Sequence, residues 1–201
     1  MTDGPAPSPA TAIGPASAPP DARTRILDAA EAIGLSRGVA GLTLEAAARD
    51  AGVSKGGLLY HFASKEALLD AMLRRLAGFM EEEYRACVAA QPDGAGRVAR
   101  AMLEWGFGQG EFACNERHDR AAAVFLAAFH HDPALLDPIR EVIGRMRADI
   151  AADGLPPGHG DAITAAGDGM FMARIFRLYS PSEAERQAMR AALQRLLEAG
   201  R

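Results

Sequence analysis

"AGVSKGGLLYHFASKEALL", residues 51–69, poses the question on which the fold turns. Gly56 and Gly57 stand where the flanking pattern calls for a helix, and each costs about 1 kcal/mol there relative to alanine. Gly52 is suited to a left-handed helix end, Val53 to an apolar plug, and Ser54 to an N-cap. The spacing therefore predicts a short helix, Lys55 to His61, after a tight turn. Ser64 caps a longer helix that runs to about Ala90, where "QPDGAG" breaks it. A short helix that spends two glycines has an exposed face on which something must come close.

Upstream, Ile26, Leu27, Ala30, Ile33 and Gly34 recur at helical spacing, and Arg37-Gly38 closes that segment. Thr43 is placed as the N-cap of a second helix, Leu44 to Ala51, with Glu45 in its first turn. Two short helices joined by a glycine turn form a helix-turn-helix, whose second member lies in the DNA major groove. Ala47 and Ala48 are small enough for close packing. Val53, Leu58 and Phe62 are expected to face a core of Ile26, Ala30 and Leu68, which leaves Ser54, Lys55, Gly56, Gly57, Leu59 and Tyr60 outward.

The segment "LTLEAAARDAGVSKGGLLYHFASKEALL", preceded by "TRILDAAEAIGLSRG", resembles the DNA-binding domain of the tetracycline-repressor (TetR) family of bacterial regulators. The detailed match covers residues 23–70. The resemblance implies contacts to operator DNA from Thr43, Ser54, Lys55, Gly56, Gly57, Leu59, Tyr60, His61 and Lys65. Thr43 and Lys65 sit at helix N-termini suited to phosphate, and Tyr60 and His61 are placed to bond the DNA backbone. Lys55 is the long donor of the outward face and is assigned to a guanine edge. The chain departs from the family pattern at Leu59, where many members carry tyrosine; here Tyr60 follows one residue later. With so few side chains to read bases, DNA shape is expected to contribute to specificity.

Bulk properties set the frame. The chain of 201 residues, 49% apolar and 24% charged, suits one ordinary domain or a small one fused to a larger. Net charge is −4; residues 1–76 hold eight Lys/Arg and eight Asp/Glu, so all the acidity lies downstream. DNA binding thus rests on the motif and not on a basic footprint. No run approaches the ~20 apolar residues of a membrane span. The N-terminus lacks a secretory pattern, and Cys87 and Cys114 lie far apart, so a cytoplasmic protein without membrane partner or cofactor is expected. Residues 1–20 carry six of the twelve prolines and read as a disordered arm. The expected organisation is that arm, a helix-turn-helix domain at 21–68 and a ligand-binding and dimerisation domain at 69–201, all-α with about nine helices.

Beyond residue 90 the breaks "CNER", "HHDP", "DGLPPGHG" and "YSPS" separate helices near 95–111, 118–131, 134–152, 160–179 and 182–199. Large apolar side chains concentrate in residues 95–180, as core or as the wall of a ligand cavity. Trp105, Phe125, Phe129, Met146 and Met172 are the candidate ligand contacts, and Asp168, in "AAGDGMFMARIF", is either an anchor for a cationic or hydroxylated ligand or a partner for an interface arginine. The histidine cluster is a poor metal site: twelve residues of helix, about 18 Å, separate His118 from His130. No nucleophile–base pair or phosphate loop points to an enzyme.

Small residues Ala162, Ala166, Gly167, Gly169 and Ala173, with the apolar face of Ala188, Met189, Ala192, Leu193, Leu196 and Leu197, suit a twofold four-helix dimer interface. The expected function is a homodimeric DNA-binding regulator, a repressor released from its operator by an apolar small molecule. The alternatives are a regulator with a filled core and no ligand, or a metal-dependent enzyme built on the histidines.

Overall fold

The computed structural model describes residues 20–108, 132–176 and 178–199. Within them the fold is all-α: α1 Ala22–Gly41, α2 Leu44–Asp50, α3 Lys55–His61, α4 Lys65–Ala89, α5 Arg97–Phe107, α6 Asp137–Ala151, α7 His159–Ile175 and α8 Glu183–Ala199. A 3-10 turn, Pro133–Leu136, leads into α6. The helix expected at 118–131, with Phe125, Phe129 and the histidine cluster, lies outside the described residues.

Local chemistry accounts for the N-terminal helices. Thr43, Ser54 and Ser64 each adopt an extended backbone, and their hydroxyl oxygens accept from the backbone N–H of Ala46, Gly57 and Ala67 at 3.1, 3.0 and 3.2 Å. After α2, Gly52 takes φ +65°, the Val53 N–H reaches the Ala48 carbonyl at 3.0 Å and the Gly52 N–H that of Arg49 at 3.1 Å. This pairing is the Schellman ending, and it fixes the angle between α2 and α3. Gly38 does not close α1 outright. It sits at φ +67° and interrupts the helix, which resumes for one short stretch to Gly41.

Ile26, Ala30, Leu58, Phe62 and Leu68 are buried together with Ala47 and Ala48, so α1, α2, α3 and the start of α4 share one small core. The Arg23 guanidinium stacks over the Phe62 ring at 5.4 Å and covers that core's edge.

In the larger C-terminal part, α5 is central and packs against α4, α6, α7 and α8. Its closest approach is to α7, where a side chain at Gly106 would meet the Gly167 Cα at 3.1 Å. Gly167, read from sequence as an interface residue, thus admits a helix of its own subunit. The start of α5 is pinned by the buried Asp153, whose two carboxylate oxygens accept from the Val98 and Ala99 N–H groups, both at 2.8 Å. The apolar face of α8 also turns inward: Leu197 is buried, and Met189, Leu193 and Leu196 pack against the core. Ala188 and Ala192 remain outside. Ala173 is buried and Ala166 packs against the core as well, so with Gly167 seven of the residues assigned to a dimer face serve the subunit's own interior. α7 ends at Ile175, short of the expected 179, which leaves Tyr179 in an irregular segment with more than half its surface exposed.

Candidate DNA-reading face and effector cavity

The nine residues assigned to DNA line the run from the N-cap of α2 to the first turn of α4. Ser54, Lys55 and Gly56 open α3 and are exposed. Tyr60 is 87% exposed, so it does not pack on α4, and Leu59 is the more sheltered of the pair at 39%. His61 lies beside Tyr60 in an edge-to-face ring contact of 5.2 Å. Gly57 has little room beneath it: a Cβ there would stand 3.2 Å from the Ser54 hydroxyl. The cap itself does not require glycine, since Ala46 and Ala67 hold the same place after Thr43 and Ser64; glycine leaves the start of α3 bare of side chains. Lys65, at the first position of α4, is half-buried.

One contact on this face has no sequence signature. The Lys55 ammonium donates to the Glu45 carboxylate at 2.6 Å, joining the first turns of α2 and α3. That hydrogen bond holds the Glu45 carboxyl below its ordinary range.

A second feature lies in the C-terminal part. A cavity of about 670 Å³ opens between α4, α5, α6, α7, the segment before α8 and the start of α8. Trp105, Met146, Asp168 and Met172 all line it; Phe125 and Phe129 lie outside the described residues. Its wall is dominated by thioether and aromatic groups, among them Met80, Met102, Met170 and Phe171. Asp168 keeps an exposed face, but partial desolvation by the surrounding wall raises its carboxyl above the usual range, with the positive charge of Arg147 acting the other way. Sequence reasoning missed Leu76 and Met80 of α4 and Ile139 and Ile143 of α6. Each pair is four apart, so a helical face was visible, but nothing in one helix tells which neighbour it meets.

Among the described residues no group of three or more His, Cys, Asp or Glu is arranged to hold a metal ion. Nor is any helix among them long and apolar enough to cross a membrane. Cys87 is buried, its thiol bonded to the Ala101 carbonyl at 3.2 Å and pushed up to about 11 by burial.

Capped short helices, a Schellman turn and an exposed α3 over an all-helical body define a helix-turn-helix DNA-binding protein. Residues 26–72 match the family model described as bacterial regulatory proteins of the tetR family, and residues 96–198 match the tetracyclin repressor-like C-terminal domain. The chain belongs to the TetR family of transcriptional regulators. Over 85 residues it is 38% identical to the HTH-type transcriptional repressor KstR2 of Rhodococcus jostii strain RHA1, a match covering 41% of this chain and 38% of that protein. The chain thus spans well under half the length of this curated relative. The multidrug binding protein EbrR, solved in complex with malachite green, is 30% identical over 88% of this chain and 98% of its own, with a TM-score of 0.62. A TetR family member from Streptomyces coelicolor A3 is 28% identical, over 88% of this chain and 98% of that one, with a TM-score of 0.60.

Proposed function

We propose that this protein is a homodimeric transcriptional repressor that leaves its operator when an apolar, cationic small molecule enters the cavity. The observation that carries this reading is the placement of α4. Leu76 and Met80 stand in the cavity wall, while Arg75, beside Leu76, reaches back to α1, bonding Asp28 at 2.7 Å and Glu31 at 2.6 Å. An occupant that displaces α4 drags α1, and with it the small core that carries α3. Two reading helices then lose the spacing that successive major grooves demand. The effector acts by its unequal affinity for the two arrangements.

The effector class follows from the wall. Thioethers and aromatics favour flat, polarisable molecules; of the charged groups in the wall, Glu183 is paired with Arg186, and Asp168, sharing the wall with Arg147 and Arg174, is the carboxylate offered to a positive charge. EbrR, solved with malachite green and with ethidium, supports the same class. For the dimer, Ala162, Ala165 and Gly169 of α7 and Ala184, Ala188 and Ala192 of α8 are exposed small residues at helical spacing, suited to close pairing about a twofold axis. Thr43, Ser54, Gly56, Gly57, Tyr60, His61 and Lys65 position the protein on DNA, and Lys55 with Leu59 reads base edges.

The test is binding to the DNA upstream of the protein's own coding region against scrambled DNA, at ~150 mM salt, where specific binding is about 10³-fold or more tighter. Malachite green is the first probe, since ethidium intercalates into the operator itself. Selective binding that falls about tenfold or more with dye supports the repressor; selective binding indifferent to any cavity ligand sinks the release mechanism.

A further inference from the structure

We propose that Glu45 is a specificity-determining residue: by holding the Lys55 ammonium, it keeps the reading helix from engaging bulk DNA. The proposal rests on α3 being the DNA-reading helix.

The pair occupies an unusual place for an ion pair. Its side chains are 62% and 65% exposed, so it lies on the surface and contributes little to the fold. It also occupies the donor at the opening of α3. Other cations of the N-terminal part are matched in the same way: Arg37 and Arg49 with Asp50, Arg74 with Asp70, and Arg75 with Asp28 and Glu31. None of those pairs includes a residue of α3, whereas Glu45 neutralises a charge at the start of the reading helix. Eight cations against eight anions in residues 1–76 leave no net positive charge to attract phosphate at long range.

Bulk DNA offers Lys55 a phosphate that competes with a carboxylate already at hydrogen-bond distance. An operator offers a base edge together with the contacts that seat α3 in the groove, and these together displace Glu45. The ammonium therefore stays on Glu45 in non-specific complexes and transfers to DNA in the specific one. Glu45 lowers affinity for all DNA, but it lowers it more for the wrong DNA.

Glu45→Gln keeps the side chain's shape and removes its charge. The full-length variant is compared with the parent by fluorescence anisotropy on a random-sequence duplex of ~30 bp over about 0.05–0.3 M salt. One further phosphate neutralised by each reading helix steepens the log–log salt slope by about 0.9, which at 0.1 M amounts to about eightfold tighter binding per engaged helix. Because Glu45 acts through Lys55, the same substitution in a Lys55→Ala background is expected to change neither slope nor affinity. An unaltered slope in Glu45→Gln overturns the proposal. So does a tightening that persists undiminished without Lys55, since that is simple charge repulsion. A parent protein that binds no duplex at any salt overturns the regulator reading itself, a distinct result.

Discussion

The DNA-facing end and the cavity are built by opposite rules. At the reading face every assigned residue lies within 23 positions of chain, Thr43 to Lys65, and the three helices that carry them each start at a cap formed with near neighbours. At the cavity, the lining comes from five helices and the segment before the last of them, scattered between Leu76 and Arg186. Local chemistry suffices for the first and settles little of the second. The two ends also carry their energy differently. Beneath the reading face lies a thin core in which two of the helices, α2 and α3, have seven residues each; around the cavity every helix has 11 or more.

The sharpest way to break this contrast is to truncate one residue on each side. Leu58 has no exposed surface and is the buried residue of α3, so Leu58→Ala is expected to destabilise the reading unit by about 3 kcal/mol. Met146→Ala, the matching truncation in the cavity wall, is expected to cost about 2 kcal/mol, the low end of the range, because that side chain already borders a void. Thermal unfolding of both variants gives the comparison; equal losses would mean that the thin core is not the weaker end.

Next in size is Lys55→Ala, whose effect is confined to DNA. A well-made contact to a base discriminates by about 1–3 kcal/mol, so operator affinity is expected to fall roughly five- to 150-fold per reading helix with an unchanged melting temperature. A mobility-shift titration beside a melting curve separates the two. Any melting shift beyond that of Glu45→Gln would place Lys55 in the fold and not in recognition.

This division also explains how far the sequence could be read. Thr43, Gly52, Ser54 and Ser64 announce their roles because caps and left-handed turns are decided by residues three or four apart. The Lys55–Glu45 pair spans ten residues and two helices, and only their crossing angle brings the charges together. Asp153 is a stronger case: it caps α5 from 54 and 55 residues away, which no pattern in either helix signals. For the same reason the apolar stripe of α8 was legible as a stripe while its destination, the subunit's own core, was not. Gly167 likewise shows by its size that something comes close, but not that it is Gly106.

Asp153→Ala tests that long-range cap. It leaves two N–H groups at the start of α5 without acceptors in a site that is 9% exposed, at an expected cost of about 2 kcal/mol. Urea unfolding gives the size. Because α5 carries Trp105 into the cavity, binding of an apolar cation is expected to weaken alongside stability, while DNA affinity is retained wherever the variant stays folded. A DNA-binding defect at full folding would join two ends that are here held to be separately built.

The smallest expected effect is a pH dependence, and it bears on which end can sense charge. Partial desolvation holds the Asp168 carboxyl protonated to higher pH than in the unfolded chain. Its contribution to folding is therefore present below the unfolded value and is lost as pH rises through the folded one. Cation binding runs the other way, because only the carboxylate attracts it. Affinity for tetraphenylphosphonium, whose charge does not titrate, is expected to rise a few-fold as pH climbs through the ionisation of Asp168, with uptake of the cation releasing protons. Asp168→Asn is expected to flatten that profile and to leave operator affinity in the absence of ligand untouched. Calorimetric titrations in two buffers of different ionisation enthalpy read the proton release directly. A profile unchanged in Asp168→Asn would move the sensing charge to Glu183, the other carboxylate of the cavity wall.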